Sequence, residues 1–369
     1  MSDDALPHAL DPALDSDALL RSLGVSDEAI GEARSEGPRA LALLAAEHAL
    51  FPNADWLTPA EIFDQVQTDP EHVRRLWRAL GFAGIPEDQR RLHGDDLRAL
   101  ETAERMLVEG TVDEETVFRE ARVIGQSMAR IAESHTSALI EQIQAARAVD
   151  PDLPEDSELL VQASAATVPL MEELVRYQFR RHLLDAVRRA LLMGTVDPDS
   201  DAQYTVGFAD IVGFTASTLV LSAVDLGRLV ERFEAMATDV VSRNNGRVVK
   251  SIGDEVMFVM PTVESAASAA LELIDMSRSD LGADLRVALA RGPVLARQGD
   301  YYGSTVNRAA RLVDLAYPGT ILVDRGVAEG IEADTTETFF VTRTKDHKLK
   351  GLGSVSSWAL RHWLPSAER

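Results

Sequence analysis

The chain changes its hydrophobic period once, near residue 200, and that change limits the folds open to it. Up to about residue 190, Leu and Ala recur three and four residues apart, glycine is sparse and β-branched runs are few. This is the pattern of helices. Helix starts recur as well. Thr58-Pro59-Ala60-Glu61 is a capping box with proline at the first helical position, and Ser26-Asp27-Glu28 and Asp69-Pro70-Glu71 are similar. The stretch from Asp156 to Met193 predicts one or two long helices, the last over about 171–193. Gly194 and then Asp197-Pro198-Asp199-Ser200 end the pattern. From Tyr204 the texture is different. Tyr204 to Ala209 is a strand and Leu219 to Asn244 an amphipathic helix. Arg247–Lys250 and Glu255–Met260 are strands joined at Gly253-Asp254. A helix over Val263–Ser277, a strand over Leu285–Leu289, a helix over Thr305–Ala316 and a strand over Thr320–Val323 follow. The order predicts an α+β fold, an all-helical region followed by a ferredoxin-like βαββαβ layer with extensions. The expected division is a helical domain over 1–193, a linker over 194–203 and a second domain over 204–369.

Charge divides the same way. Residues 1–200 carry 38 Asp and Glu against 19 Arg and no Lys; residues 201–369 carry 22 against 18 Lys and Arg. The acidic first half argues against nucleic acid as a partner, since phosphate binding needs basic patches. That matters for residues 57–82, which have a helix-turn-helix rhythm with Arg74, Arg75 and Arg78 on the second helix. A packed helical hairpin is the expected outcome there. The chain has no cysteine, which excludes a disulfide scaffold, a thiolate metal site and a cysteine nucleophile. The acidic start and the absence of an apolar stretch near 18 residues predict no signal peptide and no membrane span, hence a cytoplasmic protein.

Two constellations carry chemistry. Asp210 ends a strand in Gly207-Phe208-Ala209-Asp210-Ile211-Val212-Gly213-Phe214-Thr215, and Asp254 sits in the turn of Lys250-Ser251-Ile252-Gly253-Asp254-Glu255. Their strands are expected side by side, so both carboxylates can face one point. Two hard oxygen ligands suit Mg²⁺ or Mn²⁺ and not zinc. The N–H groups between Ile211 and Thr215 precede a helix and could cradle a phosphate. The second constellation is Asp300-Tyr301-Tyr302-Gly303-Ser304-Thr305-Val306-Asn307-Arg308-Ala309-Ala310-Arg311, in which Asn307 and Arg311 share one helix face.

Together these motifs resemble the catalytic core of class III nucleotidyl cyclases, over about Tyr204 to Leu364, with six positions matching in order. By that resemblance Asp210 and Asp254, with the Ile211 carbonyl, bind two Mg²⁺ or Mn²⁺ ions. Lys250 and Asp300 read the purine, Asn307 and Arg311 orient the ribose and stabilise the transition state, and Phe214 and Thr215 lie at the substrate. Lys350, in Leu349-Lys350-Gly351, contacts the terminal phosphates. A lysine donor beside an aspartate acceptor matches N1 and N6 of adenine, which favours ATP over GTP. Relatives carry a basic residue near Pro293; here Arg291 and Arg297 flank that position. The family shares its sites across two subunits, which implies a head-to-tail homodimer. The implied reaction is attack of the ribose 3′-OH on the α-phosphate, giving cyclic AMP and pyrophosphate. Ile252-Gly253-Asp254-Glu255 also resembles diguanylate cyclases, which lack the Asp300/Asn307/Arg311 pattern. Beside these stand two more readings, a guanylate cyclase and a non-catalytic nucleotide-binding module.

The helical half resembles the autoinhibitory domain of acid-responsive actinobacterial class III cyclases. That implies regulation, with mild acid as a trigger. His182, beside Arg180 and Arg181, and His347, near Lys345 and Lys348, are the candidate sensors, because histidine changes charge near pH 6.5. A lipid or other small ligand lodged among Leu159-Leu160-Val161 or Val168-Pro169-Leu170-Met171 is the rival trigger.

Overall fold

The computed structural model describes residues 16–51, 56–66, 69–108, 112–153, 155–192, 203–214, 221–333, 338–349 and 353–362. The chain separates into two compact units, Met1–Leu184 and Asp185–Arg369. The first consists of helices: α1 (Ser16–Ser22), α2 (Asp27–Glu36), α3 (Pro38–Leu50), α4 (Pro59–Val66), α5 (Pro70–Ala79), α6 (Gly94–Val108), α7 (Glu114–Val149) and α8 (Asp156–Leu192), the last running into the second unit. The predicted capping box forms reciprocally. Thr58 N–H donates to Glu61 Oε2 at 2.8 Å, and Glu61 N–H donates to Thr58 Oγ1 at 3.2 Å. Ser26 and Asp69 cap α2 and α5 as their spacing predicts.

Ile62, Val73, Leu76, Leu92, Leu100, Val117, Phe118 and Ala121 form one core, and Leu20, Val25, Ile30, Ala45 and Val161 a second. Gly125 of α7 is required by the first. A Cβ there would lie 2.1 Å from the Leu80 carbonyl oxygen, so only glycine lets the end of α5 approach. The arginines of the helix-turn-helix stretch are engaged within the unit. Arg74 meets Glu87 at 2.6 Å, Arg78 meets Glu71 at 2.7 Å and Arg75 meets Glu114 at 3.5 Å. The stretch is a packed hairpin. Of the one or two helices expected over residues 156–193, the structure has one: α8 is continuous and carries Pro169 inside it. Proline removes one helical hydrogen bond. Leu159 and Val161, in the first turns of α8, are buried, whereas no described side chain of the helix after Pro169 is. Among the described residues no helix is long and apolar enough to cross a membrane.

The second unit is built on β1 (Gln203–Ile211), α9 (Ala223–Arg243), β2 (Arg247–Ile252), β3 (Glu255–Met260), α10 (Val263–Met276) and β4 (Leu285–Pro293). It continues through β5 (Leu295–Arg297), β6 (Asp300–Tyr302), α11 (Ser304–Val313), β7 (Ile321–Val323) and α12 (Arg325–Ala333). Strands β8 (Phe339–Arg343), β9 (His347–Leu349), β10 (Gly353–Val355) and β11 (Trp358–His362) complete it. The main sheet runs β2-β3-β1-β4-β7-β11-β8, and its first four strands have the ferredoxin-like order. Strand β1 is antiparallel to β3 and β4, and β4 is parallel to β7. A π-helical turn at Ser277–Leu281 follows α10, and β4 extends four residues past the expected strand.

Side chains alternate across the pleat, and this positions the site. Ala209 and Ile211 face a core made with Phe233, Met236 and Val240 of α9, Ala266 and Ala270 of α10 and Val327 of α12. Tyr204, Val206 and Phe208 face the other side, against Ala309, Leu312 and Val313 of α11. Asp210 belongs to this second set by its even position. So do Glu255, two residues before Met257, and Arg286, two before Ala288. Gly207 in the middle of β1 makes room for Phe258, whose ring would lie 2.1 Å from a Cβ there.

Candidate active site

Asp210 is the penultimate residue of β1 and is 6% exposed. It lies opposite Glu255 on β3 and Arg286 on β4, and its Oδ2 accepts a hydrogen bond from Arg286 Nε. Asp254 is in the tight turn before β3, behind Gly253 at φ 63°. Its carbonyl oxygen accepts from Ile211 N–H at 3.1 Å, which ties the two aspartate-bearing segments together. Burial pushes the Asp210 carboxyl above its ordinary value; Arg286 pulls against this, and the charges of Asp254 and Asp314 add to the rise. Burial, with Asp210, Asp314 and Asp254 nearby, raises Glu255 to about 7. Asp254 and Asp314 thus act on Asp210 and Glu255 through their charge, and Arg286 is the facing cation.

This donor set fits a divalent cation. The carboxylates carry negative charge that the fold leaves incompletely balanced, and their oxygens are hard ligands. Among the described residues no group of three or more His, Asp or Glu is placed to hold a metal ion by itself. Two carboxylates and a carbonyl suit Mg²⁺ or Mn²⁺, which take their remaining ligands from water and phosphate oxygens.

Lys250 and Asp300 meet as predicted. Lys250 Nζ lies 2.5 Å from Asp300 Oδ2, with the side chains 37% and 23% exposed. The β5–β6 hairpin presents Asp300 through Gln298 and Gly299, both at positive φ. Burial raises the Asp300 carboxyl, but Lys250 and the Tyr301 N–H, which donates to Oδ1 at 2.8 Å, outweigh it and hold the group below its ordinary value. Lys250 pairs in register with Met257 and through it with Phe208, two residues along the strand from Asp210. That is a step of about 7 Å on the same sheet face, two strands across. The structure therefore makes two groupings, Asp210 with Asp254 and Lys250 with Asp300.

Asn307 and Arg311 stand exposed one turn apart on α11, and neither side chain bonds to another described residue. Phe214 is half-buried against the α9 side of the sheet. Thr215 and Lys350 lie outside the described residues. The expected phosphate cradle is narrower than its sequence suggests, because Ile211 and Val212 already donate their N–H groups to Asp254 and Asp284 carbonyls at 3.1 and 2.9 Å. Arg291 is committed elsewhere. Its Nη1 donates to Thr205 Oγ1 at 3.2 Å and to the Pro261 carbonyl at 2.9 Å. It sits five residues along β4 from Arg286, about 16 Å from the carboxylates. Arg297 pairs with Asp300 across the β5–β6 hairpin and is exposed. His182 is exposed on α8 and His347 half-buried in β9. Sequence spacing missed Arg286 and Asp314, which join the site only through strand register and the end of α11. An arginine near the start of the strand paired with Asp210 was the available signal.

The chain is similar to known proteins over most of its length. Residues 196–362 match the family described as the adenylate and guanylate cyclase catalytic domain, and residues 16–205 match the adenylate cyclase regulatory domain. An adenylate cyclase of Glutamicibacter nicotianae is 33% identical over 327 residues, spanning 81% of this chain and 77% of that protein. A pH-sensitive adenylate cyclase of Mycobacterium tuberculosis is 29% identical over 326 residues, 86% of this chain and 81% of that protein. Among solved structures, the adenylyl cyclase CyaB from P. aeruginosa aligns over 44% of this chain and 97% of its own at 20% identity, with a TM-score of 0.39. The chain belongs to the class III adenylate cyclases, in the group whose catalytic domain follows a helical regulatory domain.

Proposed function

We propose that this chain converts ATP to 3′,5′-cyclic AMP and pyrophosphate at two equivalent sites shared across a cytoplasmic homodimer. The observation that carries the proposal is the Lys250–Asp300 pair, held at 2.5 Å on the sheet face that bears Asp210. The lysine donates to adenine N1 while the aspartate accepts from N6; guanine presents the opposite pattern at that edge. Asp210 and Asp254, with the Ile211 carbonyl, would hold two divalent ions, which when bound would supply Lewis-acid stabilisation of the phosphoryl oxygens and a lower pKa for the ribose hydroxyl. The chain's own residues divide the remaining work. Asn307 orients the ribose, Arg311 meets charge developing on the α-phosphate, and Lys350 holds the terminal phosphates. Arg286 keeps Asp210 ionised and aimed, because its guanidinium opposes the cost of burying that carboxylate. One chain carries both groupings on a single sheet face, but Asn307 and Arg311 point away from it into solvent. A second subunit set head to tail brings its own Lys250, Asp300, Asn307 and Arg311 to the carboxylates of the first.

Residues 1–193 act as the regulatory domain and 204–369 as the catalytic one, with 194–203 the linker. Mild acid biases the domain toward release by relieving repulsion among the carboxylates of the first half, with His182 and His347 as the candidate sensors. A small apolar ligand is the competing trigger. A cavity of about 240 Å³ between α3 and α8, lined by Leu41, Ala42, Ala45 and Val161 on its apolar side and by Glu155, Ser157 and Glu158 on its polar side, is its candidate seat. Incubating the full chain with ATP or GTP and Mn²⁺ across pH 5–8 tests the whole proposal. Cyclic AMP and pyrophosphate are expected from ATP, with GTP turned over at least tenfold more slowly and activity rising toward acid. Equal use of both nucleotides contradicts the purine assignment, and a flat pH profile contradicts the acid trigger.

A further inference from the structure

We propose that the ion pair of Arg308 and Asp324 is the positioning device that sets the rotation of α11, and with it the aim of Asn307 and Arg311. The proposal rests on the assignment of those two residues to the ribose and the transition state.

Asp324 directly follows β7 and is 1% exposed. Its carboxylate is fully engaged. Oδ1 accepts from Arg291 N–H at 3.1 Å and from Val327 N–H at 3.0 Å, the second bond capping α12. Oδ2 accepts from Arg308 Nη1 at 2.6 Å. One buried group therefore ties β4, α12 and α11 together. Arg308 is 30% exposed at its side chain and sits beside Asn307, three residues before Arg311.

A second anchor lies one turn earlier. Thr305 is fully buried, and its hydroxyl donates to the Pro293 carbonyl at 2.8 Å, at the end of β4. Thr305, Arg308 and Leu312 follow the inner side of the helix, and Asn307 and Arg311 the outer side. Apolar contacts at Ala309, Leu312 and Val313 resist separation from the sheet but are tolerant of rotation. Two directional bonds at different heights remove that freedom. A catalytic group misplaced by about 1 Å loses rate steeply, so an anchor behind it acts on turnover more than on substrate affinity. The two possible roles of the pair separate experimentally because a buried carboxylate deprived of its partner destabilises the fold, whereas removing both charges need not.

The test uses full-chain variants with Mn²⁺ and ATP, measuring kcat, KM and thermal midpoint together. Arg308→Met is expected to lower kcat at least fivefold with KM within threefold of the parent, and to lower the midpoint. Arg308→Met combined with Asp324→Asn keeps an oxygen to cap α12 and removes the stranded charge. It is expected to recover the midpoint while kcat stays at least fivefold down. Arg308→Lys, which keeps a cation on a shorter reach, is expected to restore part of kcat. The double variant carries the test if Arg308→Met fails to fold. Recovery of kcat along with the midpoint overturns the proposal, as does a loss under fivefold or one that appears in KM. Asn307→Ala is the control. If it is impaired while the double variant is not, only the positioning role falls; if it is fully active, the assignment of the outer face of α11 falls, and the proposal with it.

Discussion

The helical unit and the Asp210–Glu255 cluster of the catalytic unit treat their carboxylates in opposite ways. In the helical unit, Asp17, Glu61 and Asp113 are held below their ordinary values, chiefly by the Arg34 side chain, the Thr58 backbone N–H and the Thr116 hydroxyl. Asp96, raised by burial beside His93, is the exception. In the catalytic unit, Asp210 and Glu255 are pushed up by burial and by neighbouring carboxylates, whereas Asp300 and Asp346, away from that cluster, are held below their ordinary values by hydrogen bonds and neighbouring cations. The first pattern is that of charges satisfied by caps and ion pairs within the fold. The second is that of charges assembled at a cost that a bound cation offsets. Asn307 and Arg311 extend the contrast, as exposed side chains with no bond to a described residue, whereas Arg74 and Arg78 of the helical unit are both paired.

The contrast breaks most visibly at Asp254. Asp254→Ala is expected to lower cyclase turnover by a factor of about 10³ or more, by loss of one of the two carboxylates proposed to hold metal, with the thermal midpoint nearly unchanged in metal-free buffer. A variant that keeps a tenth of the activity removes the carboxylate cluster from the chemistry. Next in size is the purine pair. Lys250→Glu is expected to reduce the ATP-to-GTP ratio of kcat/KM by at least tenfold, measured with both nucleotides under identical conditions. An unchanged ratio with lower activity makes the pair structural.

Glu255 gives a smaller effect with a fixed sign. Its carboxyl titrates near 7 in the folded chain and near 4.5 when unfolded, so the folded state retains a proton the unfolded state has released. Stability from this group is complete below about pH 4.5 and is lost as pH rises through 7. In buffer free of divalent ions, the melting temperature should fall between pH 5 and 8, and Glu255→Gln should flatten the fall. A parallel slope in the variant contradicts the assignment. Thr58→Ala is the smallest change. It removes one half of a capping box in the helical unit and costs about 1 kcal/mol, read as a drop of a few degrees in melting temperature. Turnover of the catalytic unit at fixed pH should be unaffected.

What was legible in the sequence was local. The box at Thr58, the turn at Gly253-Asp254 and the i, i+4 pair of Asn307 and Arg311 each follow from neighbours a few residues apart. The Lys250–Asp300 pair, fifty residues apart, was reached through the family resemblance and not through spacing. The features that escaped are set by contacts distant in sequence. Arg286 meets Asp210 only through the register of β1 and β4, and Arg291 turns to Thr205 and Pro261 because the same register carries it to the far end of the sheet. Asp324 reaches the Arg291 N–H only because β7 lies beside β4.

The shared site is the central claim, and mixing tests it directly. Asp210→Ala lacks the metal carboxylate and Lys250→Ala lacks the purine donor, and each alone should be nearly inactive. A dimer of one copy of each carries one site with both defects and one with neither. The account predicts that the purified mixed dimer regains about half the activity of the parent dimer per dimer. A verified mixed dimer as inactive as either parent variant would contradict it.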